Sequence, residues 1–196
     1  MQTNKSEIAP EVLKGCKNGK LKHQEMLYSQ FYSYGISVAL RYSYSRDEAL
    51  EILNDSFLKV FNSIASFDAE KQFRAWFRRI IINTSIDYYR KTKRLIFVEN
   101  TDYSKVELFS QNDVNSLEMQ DLLQLLGALP EVYRLTFNLY EIEGYKHEEI
   151  AEMLGITAST SRSNLTRAKK MLREAFLKQY NYSESQKINY LYPAAK

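Results

Sequence analysis

The side chains best suited to binding another molecule through charge and hydrogen bonds lie in residues 157–178, near the C-terminal end. This stretch carries six basic residues and one acid, whereas residues 131–152 carry two basic residues and six acids. Arginine can bond guanine through two donors, asparagine can bond adenine in the same way, and serine and threonine suit a phosphate or either base. The stretch is therefore a candidate surface for the major groove of duplex DNA. Its candidate contact residues are Ser159, Thr160, Arg162, Ser163, Asn164, Arg167 and Lys169.

A helix-turn-helix is the element that the spacing predicts around these side chains. Gly155 allows a positive φ at a turn, and Thr157 can cap the helix that follows. The apolar stripes expected on the two helices are Ile150, Ala151 and Leu154 in the first and Leu165, Ala168 and Leu172 in the second. This packing predicts that the contact residues point outward. The alternative is an ordinary helix pair with a solvated basic side.

An aromatic and arginine-rich helix is predicted in the N-terminal half, after a polar break at residues 66–72. Its arginines suit a phosphate backbone, whose attraction does not depend on sequence. Trp76, Phe77 and Tyr88 could each stack a single-stranded base for about 1–3 kcal/mol. Their helical spacing favours core packing instead.

An acidic ridge is predicted on the helix before that break. Glu48, Glu51 and Asp55 follow helical spacing on the side opposite the apolar stripe that runs from Ala49 to Ile64. The ridge suits a protein partner or is simply solvated. Because Glu51 and Asp55 lie one turn apart, they could also hold a metal ion in a nucleic-acid enzyme, which is a second alternative.

The composition favours an all-α protein of two small domains. The 196 residues include only 6 Gly and 3 Pro, too few for the many tight turns of an all-β fold. The single Cys16 excludes an internal disulfide, and the two histidines lie far apart in sequence, so we expect no metal site, no cofactor and no catalytic group. We expect no signal peptide or membrane insertion, and a cytoplasmic location.

The charge distribution predicts the domain organisation. Residues 1–95 carry 16 basic and 10 acidic side chains, residues 96–128 carry one basic and six acidic, and residues 129–196 carry 10 basic and 8 acidic. We therefore expect two basic helical domains joined by a flexible linker. The predicted boundaries are an N-terminal extension at 1–24, a first domain at 25–95, an acidic linker at 96–120, a second domain at 121–178 and a tyrosine-rich tail at 179–196.

Two segments resemble regions of bacterial sigma factors. Residues 41–94, RYSYSRDEALEILNDSFLKVFNSIASFDAEKQFRAWFRRIIINTSIDYYRKTKR, are similar to region 2. Residues 128–175, ALPEVYRLTFNLYEIEGYKHEEIAEMLGITASTSRSNLTRAKKMLREA, are similar to region 4. Their order, with no domain between them, resembles the small extracytoplasmic-function (ECF) group of the sigma-70 family, over about residues 25–178.

The resemblance implies a task for each feature. Region 2 of the family binds the clamp helices of the largest subunit of core RNA polymerase, which implies that Glu51, Asn54, Asp55 and Phe57 bind the polymerase. Region 2 also melts the minus-10 element and captures a flipped base, which implies stacking by Phe67 and bonding by Asn83. The minus-10 residues implied are Phe67, Asp68, Arg74, Arg78, Asn83 and Arg90.

Region 4 of the family recognises the minus-35 element and meets the flap of the second large subunit. The resemblance thus assigns the seven contact residues of 157–178 to minus-35 DNA, and the linker to a path through the polymerase toward the RNA exit channel. An anti-sigma factor is a further expected partner. The chain departs from the family pattern at Ser161, where an apolar residue is frequent, and at Asn164, where a basic one is frequent. The principal alternative is a stand-alone transcriptional regulator that binds DNA as a dimer.

Overall fold

A computed structural model describes residues 7–96 and 117–179, which form two compact units. Every element in these ranges is helical, which confirms the predicted all-α class. The first unit contains α1 (Pro10–Lys17), α2 (Leu21–Ala39), α3 (Arg46–Ser63), a 3-10 turn (Ile64–Ser66) and α4 (Phe73–Ile96). The second contains α5 (Leu117–Gly127), α6 (Glu131–Phe137), a π-helical turn (Asn138–Ile142), α7 (His147–Leu154) and α8 (Ala158–Gln179).

Parts of the sequence prediction lie outside the described residues. Of the predicted linker, residues 97–116 lie outside them, and residues 117–120 belong to α5. Of the predicted tail, residues 180–196 lie outside them. Among the helices that the structure describes, none combines the length and apolarity that a membrane span needs.

Reciprocal capping sets the start of α3, the helix that carries the acidic ridge. The Ser45 hydroxyl accepts a hydrogen bond from the Glu48 backbone N–H at 3.1 Å. The Glu48 carboxylate accepts one from the Tyr44 backbone N–H at 2.8 Å. The first bond satisfies a donor that the start of the helix leaves unpaired, and the second holds the residue before the N-cap, so the pattern resembles a capping box displaced by one residue.

Aromatic rings form the centre of the first unit. Phe57 of α3 lies 4.6 Å from Phe77 of α4, and Phe31 of α2 lies 4.5 Å from Phe73 of α4, between ring centroids. Phe67, just after the 3-10 turn, lies 5.6 Å from Phe73. Tilted and edge-on pairs of this kind contribute about 0.5–1.5 kcal/mol beyond their buried area. They hold α2, α3 and α4 together.

Helix α1 is part of this core, although the prediction set residues 1–24 apart as an extension. Ile8, Val12, Leu13 and Cys16 are all buried, and α1 packs against α2. The apolar steps in this segment are helical, yet they cover only two turns and are easily missed in sequence. Burial raises the pKa of the Cys16 thiol, which keeps it in the unreactive protonated form.

The second unit is built on α8. Leu126 of α5, Leu129 before α6 and Ala168 of α8 form its buried centre. Partly buried side chains pack around it, namely Leu122, Tyr133, Phe137, Met171 and Leu172. Helix α7 packs on the N-terminal half of the same helix through Ile150 and Leu154, which are also buried. One side of α8 is thus the support of the unit, and the opposite side is exposed.

A close approach at Gly35 generates the first testable prediction. A Cβ atom added there would lie 2.5 Å from Leu53 Cδ1 and 3.0 Å from Phe77 Cε1. We expect Gly35→Ala to lower the free energy of unfolding by about 1–3 kcal/mol, because α2 must move away from α3 and α4.

Urea unfolding followed by Trp76 fluorescence measures this effect, since the chain has a single tryptophan and it lies in the first unit. The control is Ser33→Ala at an exposed position of the same helix, expected to change stability by no more than about 0.5 kcal/mol. Equal effects of the two substitutions would contradict the close packing at Gly35.

Candidate nucleic-acid interface

The turn of the predicted helix-turn-helix is confirmed. Gly155 ends α7 in the left-handed region with φ of 64°. The Thr157 hydroxyl accepts a hydrogen bond from the Thr160 backbone N–H at 3.0 Å and so caps α8. At the other end of α7, the Glu149 carboxylate accepts one from the Lys146 backbone N–H at 2.7 Å. Both ends of α7 and the start of α8 are therefore determined by residues close in sequence.

Six of the seven predicted contact residues are exposed along residues 159–169 of α8. They are Ser159, Thr160, Arg162, Ser163, Arg167 and Lys169. They form a polar and basic surface of the kind that enters a major groove. The geometry fits the predicted helix that reads DNA.

The exposure predicted for Asn164 is wrong. Its side chain is only 5% exposed, and Ser161 is fully buried. The positions that face α7 and the rest of the unit are 161, 164, 165 and 168, which follow helical steps of three and four. The apolar stripe predicted for α8 began at Leu165, one turn too late. The buried residues before it, Ser161 and Asn164, are polar, so an apolar pattern does not include them.

A polar contact replaces apolar packing at Ser161. The His147 ring nitrogen Nδ1 lies 2.9 Å from the Ser161 hydroxyl oxygen, and the Tyr140 ring stacks on the His147 ring with centroids 4.4 Å apart. The contact joins the first residue of α7 to the buried side of α8. Sequence reasoning missed it, although Ser161 sits one turn before Leu165 on the same stripe.

Neighbouring side chains hold all three basic contact residues in the free chain. Arg162 donates to Glu148 at 2.9 Å, and Lys169 pairs with Glu141 at 2.6 Å. Arg167 donates to the Tyr133 hydroxyl at 3.1 Å. Binding of a phosphate or base must exchange these contacts. The acids of the α6–α7 region therefore compete with DNA for α8.

The base-stacking role that the resemblance implies for Phe67 needs correction for the free chain. Phe67 is only 6% exposed, and its ring packs against Phe73 and, at 4.9 Å, against Trp76. A flipped base can stack on it only if the ring leaves this cluster. Asp68 is exposed, and its carboxylate accepts a bond from the Glu70 backbone N–H at 3.1 Å, which shapes the turn.

The other minus-10 candidates lie along α4. Asn83 and Arg90 are exposed, whereas Arg78 is half-buried. Asn83 lies ten residues after the start of α4, which is about 15 Å along the helix axis, and about two turns after Trp76, whose ring packs against Phe67. Arg74 lies over the Tyr34 ring at 5.4 Å and pairs with Glu7 at 3.7 Å.

The alternative of core packing for the aromatic residues of α4 is confirmed at Phe77, which is fully buried. Trp76 and Tyr88 are half-buried. The base-stacking interpretation is therefore wrong for Phe77, because its ring has no face open to a base.

The acidic ridge of α3 is exposed at Glu51, Asn54 and Asp55, but Phe57 is 2% exposed and belongs to the core. A direct polymerase contact from the Phe57 side chain is therefore wrong. Sequence reasoning missed Leu58, which is 60% exposed and lies one turn beyond Asn54 on the same face. The i, i+3, i+7 spacing of 51, 54 and 58 is the signal that could have found it.

Tyr28 of α2 completes this ridge. Its hydroxyl donates to Asn54 Oδ1 at 3.1 Å, and the pKa of Tyr28 is raised, first by burial and then by the neighbouring Tyr32. The hydroxyl therefore stays a donor at neutral pH and orients the Asn54 amide. Within residues 7–96 and 117–179, no group of three or more His, Cys, Asp or Glu side chains is placed to hold a metal ion.

Comparison with known families finds a match in each unit. The family described as Sigma-70 region 2 matches residues 27–95, and the family described as Sigma-70, region 4 matches residues 119–172. The first match covers α2 to α4, and the second covers the helices around the helix-turn-helix.

Two curated relatives from Bacillus subtilis (strain 168) match most of the chain. The RNA polymerase sigma factor SigV is 30% identical over 136 residues, which are 69% of this chain and 80% of SigV. The RNA polymerase sigma factor YlaC is 29% identical over 169 residues, which are 81% of this chain and 96% of YlaC.

A solved structure shares the fold. It is the sigma factor RpoE in complex with the anti-sigma factor NepR from Bartonella quintana, with a TM-score of 0.50 and 23% identity. The match covers 80% of this chain and 98% of that chain.

The Arg162–Glu148 pair generates a prediction for DNA affinity. We expect Glu148→Gln to raise the affinity of the full chain for a labelled random-sequence duplex by about 1.5- to fivefold, because a surface ion pair worth about 0.2–1 kcal/mol no longer competes for Arg162. Fluorescence anisotropy measures the affinity, and the gain should shrink as salt is added.

The control for Glu148→Gln is the same substitution in an Arg162→Ala background. There the gain should vanish, because the partner of Glu148 is gone. A gain of the same size in both backgrounds would show that only the lost negative charge matters, and not the pair.

Proposed function

Because the chain belongs to the ECF group of bacterial RNA polymerase sigma factors, we propose how its residues perform that function. The protein binds core RNA polymerase, directs it to promoters and helps to melt the DNA. The first unit binds the polymerase and the minus-10 element. The second unit binds the minus-35 element, and no catalytic step is assigned to the chain.

The division of exposed chemistry between the units carries this assignment. In the first unit, α3 exposes acids beside an apolar Leu58, which suits a protein partner with a basic and apolar surface. In the second unit, α8 exposes bases and hydroxyls on its N-terminal half, which suits DNA. A stand-alone regulator would use the DNA-binding surface of α8, but it would have no partner for the acidic and apolar surface of α3.

The polymerase contact is proposed on α3. Glu51 and Asp55 provide charge, and Asn54, oriented by Tyr28, provides a hydrogen bond to the clamp helices of the largest subunit. Leu58 replaces Phe57 as the apolar contact of this surface, since Leu58 is exposed and Phe57 is buried.

The promoter contacts are proposed on α4 and α8. Asn83 bonds the edge of the flipped minus-10 base, and Arg74, Arg78 and Arg90 follow the phosphates, with Phe67 and Asp68 shaping the preceding turn. Flipping costs a few kcal/mol, which contacts to the flipped base must recover by stacking and hydrogen bonds. On α8, Asn164 is removed from the direct contacts because it is buried, and the six exposed residues remain.

Further partners follow from the same proposal. Region 4 also meets the flap of the second large subunit, and the linker passes through the polymerase. An anti-sigma factor that covers α3 or α8 would block initiation. The protein works in the cytoplasm, where the polymerase transcribes.

Charge reversal on α3 tests the polymerase contact. We expect the double variant Glu51→Arg, Asp55→Arg to lose stable association with purified core polymerase in a pull-down, because like charges then face the clamp. The control is Glu11→Arg, Glu25→Arg, which makes the same charge change at exposed positions of α1 and α2. Retained association of the α3 variant, or equal loss in the control, would contradict the contact.

The base-pocket role of Asn83 is tested by separating melting from binding. We expect Asn83→Ala to reduce open-complex formation on a promoter by about tenfold, while the affinity of the holoenzyme for the closed duplex stays within about twofold. Permanganate reactivity of unpaired thymines measures opening. Asn62→Ala, at an exposed asparagine of α3, is the control. Equal losses in opening and in duplex binding would refute the role.

A further inference from the structure

A pocket lies between α1 and the segment that follows the 3-10 turn. Its volume is about 480 Å³, within the range of about 300–1,000 Å³ of small-ligand sites. One part of its wall is apolar and consists of Pro10, Leu13 and Ala69. None of these residues belongs to the contact surfaces described above, and Asn83 does not line the pocket.

The polar part of the wall suits a nucleotide. Lys14, Lys17, Asn18 and Glu70 line it, and Lys14 and Asn18 are exposed. Residues 10–22 carry four lysines and one acid, and residues 68–71 on the other wall carry one lysine and two acids, so a net positive charge attracts a phosphate. An amide and a carboxylate provide a donor and acceptors for the edge of a base, while the apolar wall accepts its face.

Hydrogen bonds tie the pocket to the turn that shapes the minus-10 site. Lys17 Nζ donates to the Phe67 carbonyl oxygen at 3.0 Å. The Glu7 carboxylate accepts a bond from the Arg74 backbone N–H at 2.8 Å, and Gln30 holds the Glu7 carbonyl at 2.7 Å. Both ends of the segment from Phe67 to Arg74 are therefore fastened to the N-terminal segment.

We propose that this pocket binds one nucleotide of the displaced promoter strand, next to the nucleotide whose base is flipped. The inference rests on the proposed function, and it adds α1 to the promoter-binding elements. Lys14 binds the phosphate, and Asn18 and Glu70 bond the base edge. Lys17 is a positioning residue, which holds the turn at Phe67 against α1.

An abasic scan of the single strand tests the proposal. The probe is a fluorescent oligonucleotide with the nontemplate sequence of a minus-10 element, bound to the holoenzyme assembled from the full chain, with an abasic site placed at each position in turn. We expect two adjacent positions at which base removal weakens binding. At one position the loss should depend on the Asn83 side chain, and at its immediate neighbour it should depend on the Asn18 side chain.

The coupling is measured by double-mutant cycles between strand and protein. At the neighbouring position, base removal should cost about three- to tenfold with the native chain, the range of one net hydrogen bond, and nothing further with Asn18→Ala. Lys14→Ala should instead lower the slope of log affinity against log salt by about 0.7, the value for one phosphate of a single strand, at every oligonucleotide.

Two other variants complete the design. Lys17→Met should weaken base recognition at both positions, because it releases the turn, and Lys17→Arg should restore most of it by donating to the same carbonyl. Lys22→Ala, an exposed lysine of α2 that does not line the pocket, should leave the base coupling unchanged. Unfolding followed by Trp76 fluorescence verifies that each variant is folded.

The outcomes separate this inference from the function on which it rests. If base removal at one position depends on Asn83 but at no second position depends on Asn18, the pocket does not bind a nucleotide, and the proposed function stays intact. Equal salt slopes for the native chain and Lys14→Ala would also overturn this inference. Loss of base sensitivity at every position would contradict the minus-10 role of the first unit itself.

Discussion

Where α3 ends and α4 begins, the Phe67 ring packs against Phe73 and Trp76, and the arrangement of the first unit depends on this contact. Phe73 also contacts Phe31 of α2, so the turn packs onto the core through these rings. The position of the turn determines where the pocket beside α1 forms, because Ala69 and Glu70 line it. The start of α4 sets the direction of the helix that carries Asn83 and the arginines proposed to bind DNA.

The second unit meets the same requirement with polar atoms. Helix α8 carries a basic surface and needs a fixed orientation on the helices that support it. The Ser161–His147 contact joins α8 to α7, at position 161 where the family often has an apolar residue. Buried polar contacts are directional, so this one specifies the register of the two helices as well as their contact. Glu148 and Glu141 pair with Arg162 and Lys169, so they partly neutralise the exposed positive charge of α8 in the free chain.

Periodicity predicted the helices and the all-α class because apolar stripes at steps of three and four are typical of helices that bury one face. The turn at Gly155 and the cap at Thr157 were predictable because both depend on residues close in sequence. Periodicity misplaced Asn164, because a side chain at the edge of a stripe turns inward or outward according to the neighbouring helix. It placed Phe57 correctly on the buried stripe, and the contact roles of Phe57 and Phe67 came from the family resemblance alone. The role of α1 depended on contacts between residues about fifty positions apart, such as Lys17 with Phe67, which no local pattern encodes.

The central claim is that two helical units of one chain direct a polymerase made of other subunits to a start site. Transcription reconstituted from purified core polymerase and the full chain, followed by mapping of RNA 5′ ends on genomic DNA, tests it most directly. We expect a small set of start sites, absent with core polymerase alone, that share two upstream elements at a constant spacing. Start sites that are the same with and without the protein would contradict the claim.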